Sequence, residues 1–211
     1  MTRAVVFDLD GVLIDSEQVW DEVREGLVRE RGGHWHEGAQ RDMMGMSSPE
    51  WSRYMHDRIG LRESPEEINQ IVVERMLERY KDGPPWLPGA LDAVRRLAEA
   101  FVLGLASSSN RELIDVVLEA GGIADLFKAT VSSEEVAVGK PAPDVYLEAA
   151  RRLGVGPAQC TAVEDSHNGI RAAKAEMLLP IYCLAMPFRA GSYHSPGLRT
   201  PGRFRSTIRT I

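Results

Sequence analysis

Asp8 and Asp10 stand two residues apart at the end of the apolar run Ala4–Phe7, in the stretch VVFDLDGVLIDSE. On extended backbone, residues i and i+2 point to the same side. The two carboxylates therefore lie close together, and they repel and raise a pKa unless a positive group sits between them. Similar chemistry recurs further along the chain. The apolar run Phe101–Ala106 is followed by Ser107, Ser108, Ser109 and Asn110; the run Ala129–Val131 leads to Gly139-Lys140-Pro141; and Thr161–Val163 leads to Glu164, Asp165 and Ser166. Asp8, Asp10, Glu164 and Asp165 are hard oxygen donors that suit Mg2+, which takes one or two protein carboxylates and keeps positions for water and phosphate. The serine hydroxyls, and a helix N-terminus behind them, offer donors to an anion. Lys140 is a compact cation that can hold the same anion or restrain a charged carboxylate. Such a set can stabilise a phosphoryl group in transfer. An ionised Asp can serve as nucleophile, and a second carboxyl can protonate the leaving oxygen and later activate water.

These residues meet only if their runs are neighbouring strands. Between the later runs lie helical patterns: Ala90–Ala100, with apolar residues at i, i+3, i+4 and i+7, then Arg111–Ala120, Asp144–Leu153 and the shorter Asn168–Ala175. Strands alternating with helices predict a parallel sheet of the Rossmann-like α/β class, in which ligands bind at the carboxyl ends of the strands. A fifth strand is expected at Ile181–Leu184. Residues 16–85 break the alternation, with helical stretches and no strand. Ser48-Pro49-Glu50 and Ser64-Pro65-Glu66-Glu67 read as helix starts, each a capping serine before a proline, the second with a capping box to Glu67. The expected organisation is an α/β core of residues 1–15 and 86–211 with an inserted α-helical cap of residues 16–85, joined through linkers near 14–17 and 82–88.

The 211 residues are 44% hydrophobic and 27% charged, ordinary for a globular protein with a real core. No apolar run approaches the roughly 20 residues of a membrane span, and acids follow the short N-terminal apolar run too soon for a secretory signal. Cys160 and Cys183 have no partner spacing and read as buried thiols in a reducing compartment, so a cytoplasmic location is expected. The net charge of −6 conceals five arginines and no acid from Met177 to Ile211, which leaves −11 on residues 1–176. An acidic body argues against broad nucleic-acid binding. The expected partner is a small phosphorylated metabolite, with neither nucleic acid nor membrane, and the expected assembly a monomer, with a dimer as the alternative.

The segments DLDGV, SSS, GKPAPD and EDS, in that order across residues 4–176, resemble the haloacid dehalogenase superfamily, in its β-phosphoglucomutase and phosphoglycolate-phosphatase-like subgroup with a helical cap. The resemblance implies Asp8 as nucleophile and Mg2+ ligand, and Asp10 as general acid/base with its backbone carbonyl on the metal. It further implies Ser107 and the Ser108 N–H as holders of the phosphoryl group, Lys140 as a bridge between that phosphate and the nucleophile, and Asp165 with Glu164 as completing the metal shell. The insert would be a mobile cap that excludes water and selects the substrate.

Two positions depart from the mutase pattern: Trp20 stands where the mutases carry a His, and Ser48 where they carry an Arg. The departures favour hydrolysis by a phosphatase over the alternative of a phosphomutase; a dehalogenase, which lacks the second Asp, is less favoured, and an inert binding module is the remaining reading. Asp15 and Asp144 read as structural helix-end acids, and His34 and His36 as residues of a solvated loop. Trp20, Trp35, Met43, Met44, Met46 and Trp51 read mostly as packing within the cap. The Arg-rich end, SYHSPGLRTPGRFRSTIRTI, lacks periodicity and reads as a poorly packed segment or as a basic arm for an acidic partner.

Overall fold

The computed structural model describes residues 1–176 and 179–182. Its centre is a five-stranded, all-parallel sheet in the order β3-β2-β1-β4-β5, with β1 spanning Ala4–Phe7, β2 Val102–Ser107, β3 Phe127–Ser132, β4 Cys160–Glu164 and β5 Leu179–Tyr182. β1 and β4 are buried along their whole length, as strands covered on both faces must be. Alternation divides their side chains between two cores. Val5 and Phe7 join Leu103, Leu105, Phe127 and Val163 on one face, whereas Ala4 and Val6 join Ala106, Val131 and Ala162 on the other. Helices α5 (Ala90–Ala98) and α6 (Arg111–Ala120) cover the first face, with Val94, Leu113, Ile114 and Val117 turned inward. Helices α7 (Asp144–Leu153) and α8 (His167–Glu176) cover the second through Val145, Tyr146, Ala149, Ala172 and Ala173. Expected and observed elements differ here by only a few residues at their ends.

Between β1 and β2 run four helices, α1 (Glu17–Arg31), α2 (Ala39–Met43), α3 (Ser48–Asp57) and α4 (Pro65–Tyr80), with no named strand among them. Entry to and exit from this insert run side by side: Ile14 bridges Trp86 in antiparallel fashion, Asp15 N–H donates to the Pro85 carbonyl at 2.8 Å, and Leu87 N–H to that of Leu13 at 3.0 Å. Trp51, Met55, Ile68, Val72 and Met76 pack the insert's interior, and this apolar cluster continues without a break into the first face of the sheet. Trp20, Met43 and Trp51 are buried as the pattern predicts, and Trp35 and Met46 are partly buried, but Met44 is exposed.

Two expectations shift. The start of α3 is capped by Ser47, one residue before the serine the sequence suggests, because Glu50 reaches back to the Ser47 N–H at 2.8 Å and accepts from its hydroxyl at 2.6 Å. The box spacing S-x-x-E fits 47 and 50 and not 48 and 50. The fifth strand pairs at Leu179–Tyr182, earlier than Ile181–Leu184, with Pro180 opposite Ala162 on the sheet edge where its missing N–H is tolerated. The expectations for Cys183 and for the Arg-rich segment lie outside the described residues.

The α4 start follows the sequence: Glu67 N–H donates to Ser64 Oγ at 3.3 Å, and Ser64 N–H to Glu67 at 2.9 Å. Removing this exposed cap with Ser64→Ala is expected to cost about 1 kcal/mol, read as a lower denaturant midpoint with an unchanged m-value.

Candidate active site

Parallel pairing sets the site. Phe7 is level with Leu105 of β2 and Val163 of β4, so Asp8, Ser107 and Glu164 all emerge at the same edge of the sheet. Asp8 is fixed there by its own N–H, which donates to the Val163 carbonyl at 2.9 Å. The chain then turns back at Gly11, whose φ of +73° suits glycine. A Cβ at Gly11 would lie 2.0 Å from an oxygen of Asp165, so the turn closes directly against that carboxylate.

At the bottom of the site lies Lys140, only 3% exposed. Its ammonium is 2.7 Å from Glu164 Oε1 and 2.9 Å from Asp8 Oδ1, and 5.0 Å from the ring centre of Tyr146. Glu164 is wholly enclosed: Lys140 and Tyr146 Oη donate to Oε1, at 2.7 and 3.1 Å, while the Ser166 N–H and hydroxyl donate to Oε2 at 2.8 and 2.9 Å. Gly169 makes room for it, since a Cβ there would fall 1.6 Å from Oε1. Burial opposes charge on Glu164, but the Lys140 ammonium and these hydrogen bonds win and hold it below the usual carboxylate value. Burial likewise opposes charge on Lys140, and Asp8 and Glu164 outweigh it and hold its pKa well above the ordinary one.

Asp8 and Asp165 are in the opposite condition. Burial, with Glu164 and Asp10 adding repulsion, pushes Asp8 well above the usual range despite Lys140. Burial and the Glu164 charge raise Asp165 to about 7. Carboxylate oxygens of Asp8, Glu164 and Asp165 lie within 4.8 Å of one another, and Asp8 Oδ1, shielded from solvent, has the Lys140 ion pair but no hydrogen bond. Three clustered carboxylates, two of which resist ionisation, fit a hard divalent cation, which would favour their charged forms.

Asp10 points elsewhere. Its Oδ1 accepts from Ser16 Oγ and, at 3.3 Å, from Trp20 Nε1; its Oδ2 accepts from Ser109 Oγ. Three donors from α1, its N-cap and the loop after β2 therefore fix the orientation of its carboxylate. Ser107 is completely buried and accepts the Ser109 N–H at 3.0 Å. Ser108 has a buried hydroxyl without a partner, and its carbonyl accepts from Ser133. Among the described residues neither Ser107 nor Ser108 hydrogen-bonds to the acids, so the strand register alone brings them beside Asp8. Asp144 opens α7, and the Asp15 N–H donates to the Pro85 carbonyl. His36 bonds Tyr54 and the Gly38 N–H, with no second metal-type cluster among the described residues.

Sequence reasoning does not single out Tyr146 or Ser16, and it offers Ser109 and Ser166 only as hydroxyl donors to an anion. Trp20 also has more than a packing role, because its indole N–H faces Asp10.

Lys140→Met leaves two buried carboxylates without their cation, which costs about 3–5 kcal/mol. In the parent chain the Glu164 pKa is depressed, so its contribution is present above the unfolded carboxylate range near 4 and is lost as pH falls below that range through the lower folded value. Without Lys140, Glu164 keeps only the Tyr146 and Ser166 donors against its burial and Asp8, already raised, rises further, so the variant loses stability as pH rises from about 4. Denaturant unfolding at pH 7 and pH 5 is expected to show a deficit that narrows at the lower pH.

The sequence pattern of the haloacid dehalogenase-like hydrolases matches residues 2–176 of this chain. Hexitol phosphatase B of Escherichia coli K12 is 34% identical over 84% of this chain and 82% of its own length. A phosphorylated carbohydrates phosphatase of Thermotoga maritima is 29% identical over 85% of this chain and 84% of its own. The crystal structure of a mutant CbbY from Rhodobacter sphaeroides with xylulose-(1,5)-bisphosphate superposes with a TM-score of 0.74 at 25% identity, covering 91% of this chain and 92% of that one. With the family pattern spanning four fifths of the sequence and the parallel sheet carrying its acids at one edge, this chain belongs to the haloacid dehalogenase-like hydrolases.

Proposed function

We propose that this hydrolase is a Mg2+-dependent phosphatase that releases phosphate from a small phosphorylated metabolite, a sugar phosphate or similar polyol phosphate, through an aspartyl-phosphate on Asp8. One observation carries the reading. Asp8 sits buried and ion-paired with Lys140, while Asp10, two residues on, is turned to a separate set of donors. Two carboxylates in different surroundings can take different tasks. The names of the phosphatase relatives support the reaction class and the kind of substrate.

In this reading Asp8, Asp165 and Glu164, with the Asp10 carbonyl, hold the metal; Glu164, whose oxygens are already engaged by four donors, contributes chiefly by fixing Lys140. The bound cation supplies charge neutralisation at the phosphoryl oxygens and keeps the acids ionised. A carboxylate oxygen of Asp8 attacks phosphorus and the bond to the leaving oxygen breaks. Asp10 gives that oxygen its proton. Ser107, the Ser108 N–H and Lys140 hold the phosphoryl oxygens. Asp10 then takes a proton from water as its oxygen attacks phosphorus, which frees phosphate and restores Asp8. Residues 16–85 act as a cap over the core of residues 1–15 and 86–211, excluding water and choosing the substrate.

The mutase alternative is less supported, because Trp20 and Ser48 replace the His and Arg of that pattern. A monomer, without nucleic acid or membrane partner, belongs to the same reading; among the described residues no helix is long and apolar enough to cross a membrane. A cytoplasmic setting is supported by Cys160, a buried free thiol.

Phosphate release from p-nitrophenyl phosphate tests the proposal. Release is expected with Mg2+, loss with a chelator, fall to background with Asp8→Asn, and a decrease of about 10²–10⁴-fold with Asp10→Asn. Release that persists in Asp8→Asn, or that ignores the chelator, overturns it. Conversion of a β-hexose 1-phosphate to the 6-phosphate, given a bisphosphate activator, would install the mutase instead.

A further inference from the structure

β2 and β3 end level with each other, with Ser107 opposite Ser132. Beyond that pair, side chains of the turn after β3 take over from the backbone ladder. Ser132 Oγ donates to the Ser109 carbonyl at 2.7 Å, and Ser133 Oγ to the Ser108 carbonyl at 3.1 Å. Glu134 accepts from Asn110 Nδ2 at 2.7 Å and from the Arg111 N–H at 2.9 Å. Three consecutive residues thus grip four consecutive ones, Ser108 to Arg111, directly after the candidate phosphate holder Ser107. The turn is itself held. The Glu134 N–H donates to Ser132 Oγ at 3.2 Å, and the Ser132 N–H donates to Glu135, which also pairs with Arg111 and Arg152. Ser132 is wholly buried and Ser133 nearly so.

Two of these bonds reach the chemistry in one further step. The peptide unit joining Ser108 to Ser109 is trans, so its carbonyl and its N–H point in opposite directions. Ser133 holds the carbonyl end, and the N–H end donates to Ser107 Oγ at 3.0 Å. With one lone pair so occupied, the Ser107 hydroxyl is turned to donate its own proton, and among the described residues nothing accepts it. An oxygen of a bound anion is the acceptor that suits such a donor. Ser109 is likewise held at both ends, its N–H by Ser107 and its carbonyl by Ser132. Its hydroxyl donates to Asp10 Oδ2. On a backbone fixed at both ends, so short a side chain has few directions left.

We propose that Ser133 and Ser132 are positioning residues for phosphoryl transfer, one for each half of the chemistry. Ser133 acts through the Ser108–Ser109 peptide on Ser107, and so on the grip of the phosphoryl oxygens. Ser132 acts through Ser109 on Asp10, and so on the proton transfers. The proposal rests on the phosphatase reading for the roles of Ser107 and Asp10. Neither serine touches the substrate. Each removes a backbone freedom that would otherwise be lost on binding or in the transition state.

Two readouts separate the serines from each other and from a merely structural role. Affinity for inorganic phosphate is titrated calorimetrically in Mg2+ buffer, and kcat for p-nitrophenyl phosphate is taken per folded chain, counted by near-UV circular dichroism. Ser133→Ala is expected to weaken phosphate about threefold to tenfold. Ser132→Ala is expected to lower kcat by a similar factor while phosphate affinity stays within about twofold. Added to Ser107→Ala, Ser133→Ala is expected to change phosphate affinity less than about twofold. Added to Ser109→Ala, Ser132→Ala is expected to change kcat equally little, because each pair shares one route. Unchanged phosphate affinity in Ser133→Ala, additive effects in either pair, or equal losses of affinity and kcat in both single variants overturns the proposal. Should Ser132→Ala fail to fold, the Ser133 arm decides alone. Failure of the parent chain to release p-nitrophenol would instead defeat the phosphatase reading, and the phosphate affinities would still decide Ser133.

Discussion

Lys140, buried between Asp8 and Glu164, is the contact on which the rest of the site depends. Four acidic side chains crowd the carboxyl edge of this sheet, and their mutual repulsion would disrupt it without an internal cation. The lysine settles the problem unequally. It holds Glu164 in its charged form through a hydrogen bond, with the help of Tyr146 and Ser166, and it meets Asp8 Oδ1 as an ion pair without hydrogen-bond geometry. A fully paired Asp8 would be a poor candidate for attack, and an unpaired one would resist ionisation in so dry a place. The arrangement lies between these limits, where a divalent cation could complete the charge balance.

Several small structural choices serve that one contact. Gly169 lacks a side chain because Glu164 occupies the space, and Gly11 because Asp165 does. Tyr146 reaches the cluster from α7, whose other inward residues are small alanines and Val145, so its hydroxyl has a clear line to Glu164. The insert also touches the core close to these groups. Asn110 at the start of α6 donates to Asn69 of α4, Gly45 lies against Asn168, and Gly139, beside the lysine, lies against Ser47. The helices over the site are therefore coupled to the loop that carries Lys140 and to the helix behind Glu164.

Asp10 shows a second constraint. Its donors come from both sides, Ser109 from the sheet and Trp20 with Ser16 from the start of the insert. In the proposed acid/base role the carboxyl would need a fixed direction, and here that direction depends on the insert staying in place. Trp20 reads from sequence as core packing, and by burial it is; its polar edge matters because the indole N–H needs a partner when enclosed.

Much of this was legible in the chain. The βα alternation fixed the sheet class, because apolar runs of four to six residues separated by 3.6-period helices have few other solutions. The positions of Asp8, Asp10, Ser107, Lys140, Glu164 and Asp165 after those runs followed from the rule that a parallel sheet gathers its ligands at one edge. The sequence alone could not say which acid Lys140 would engage, that Glu164 would be enclosed by four donors, or that Tyr146 and Trp20 would turn polar edges toward the site. Nor could it show that Ser132 and Ser133 would hold the carbonyls of Ser109 and Ser108. Local pattern sets which residues lie on a strand or a helix. Which oxygen meets which nitrogen depends on how helices distant in sequence pack over one edge of the sheet, and that is decided only in three dimensions.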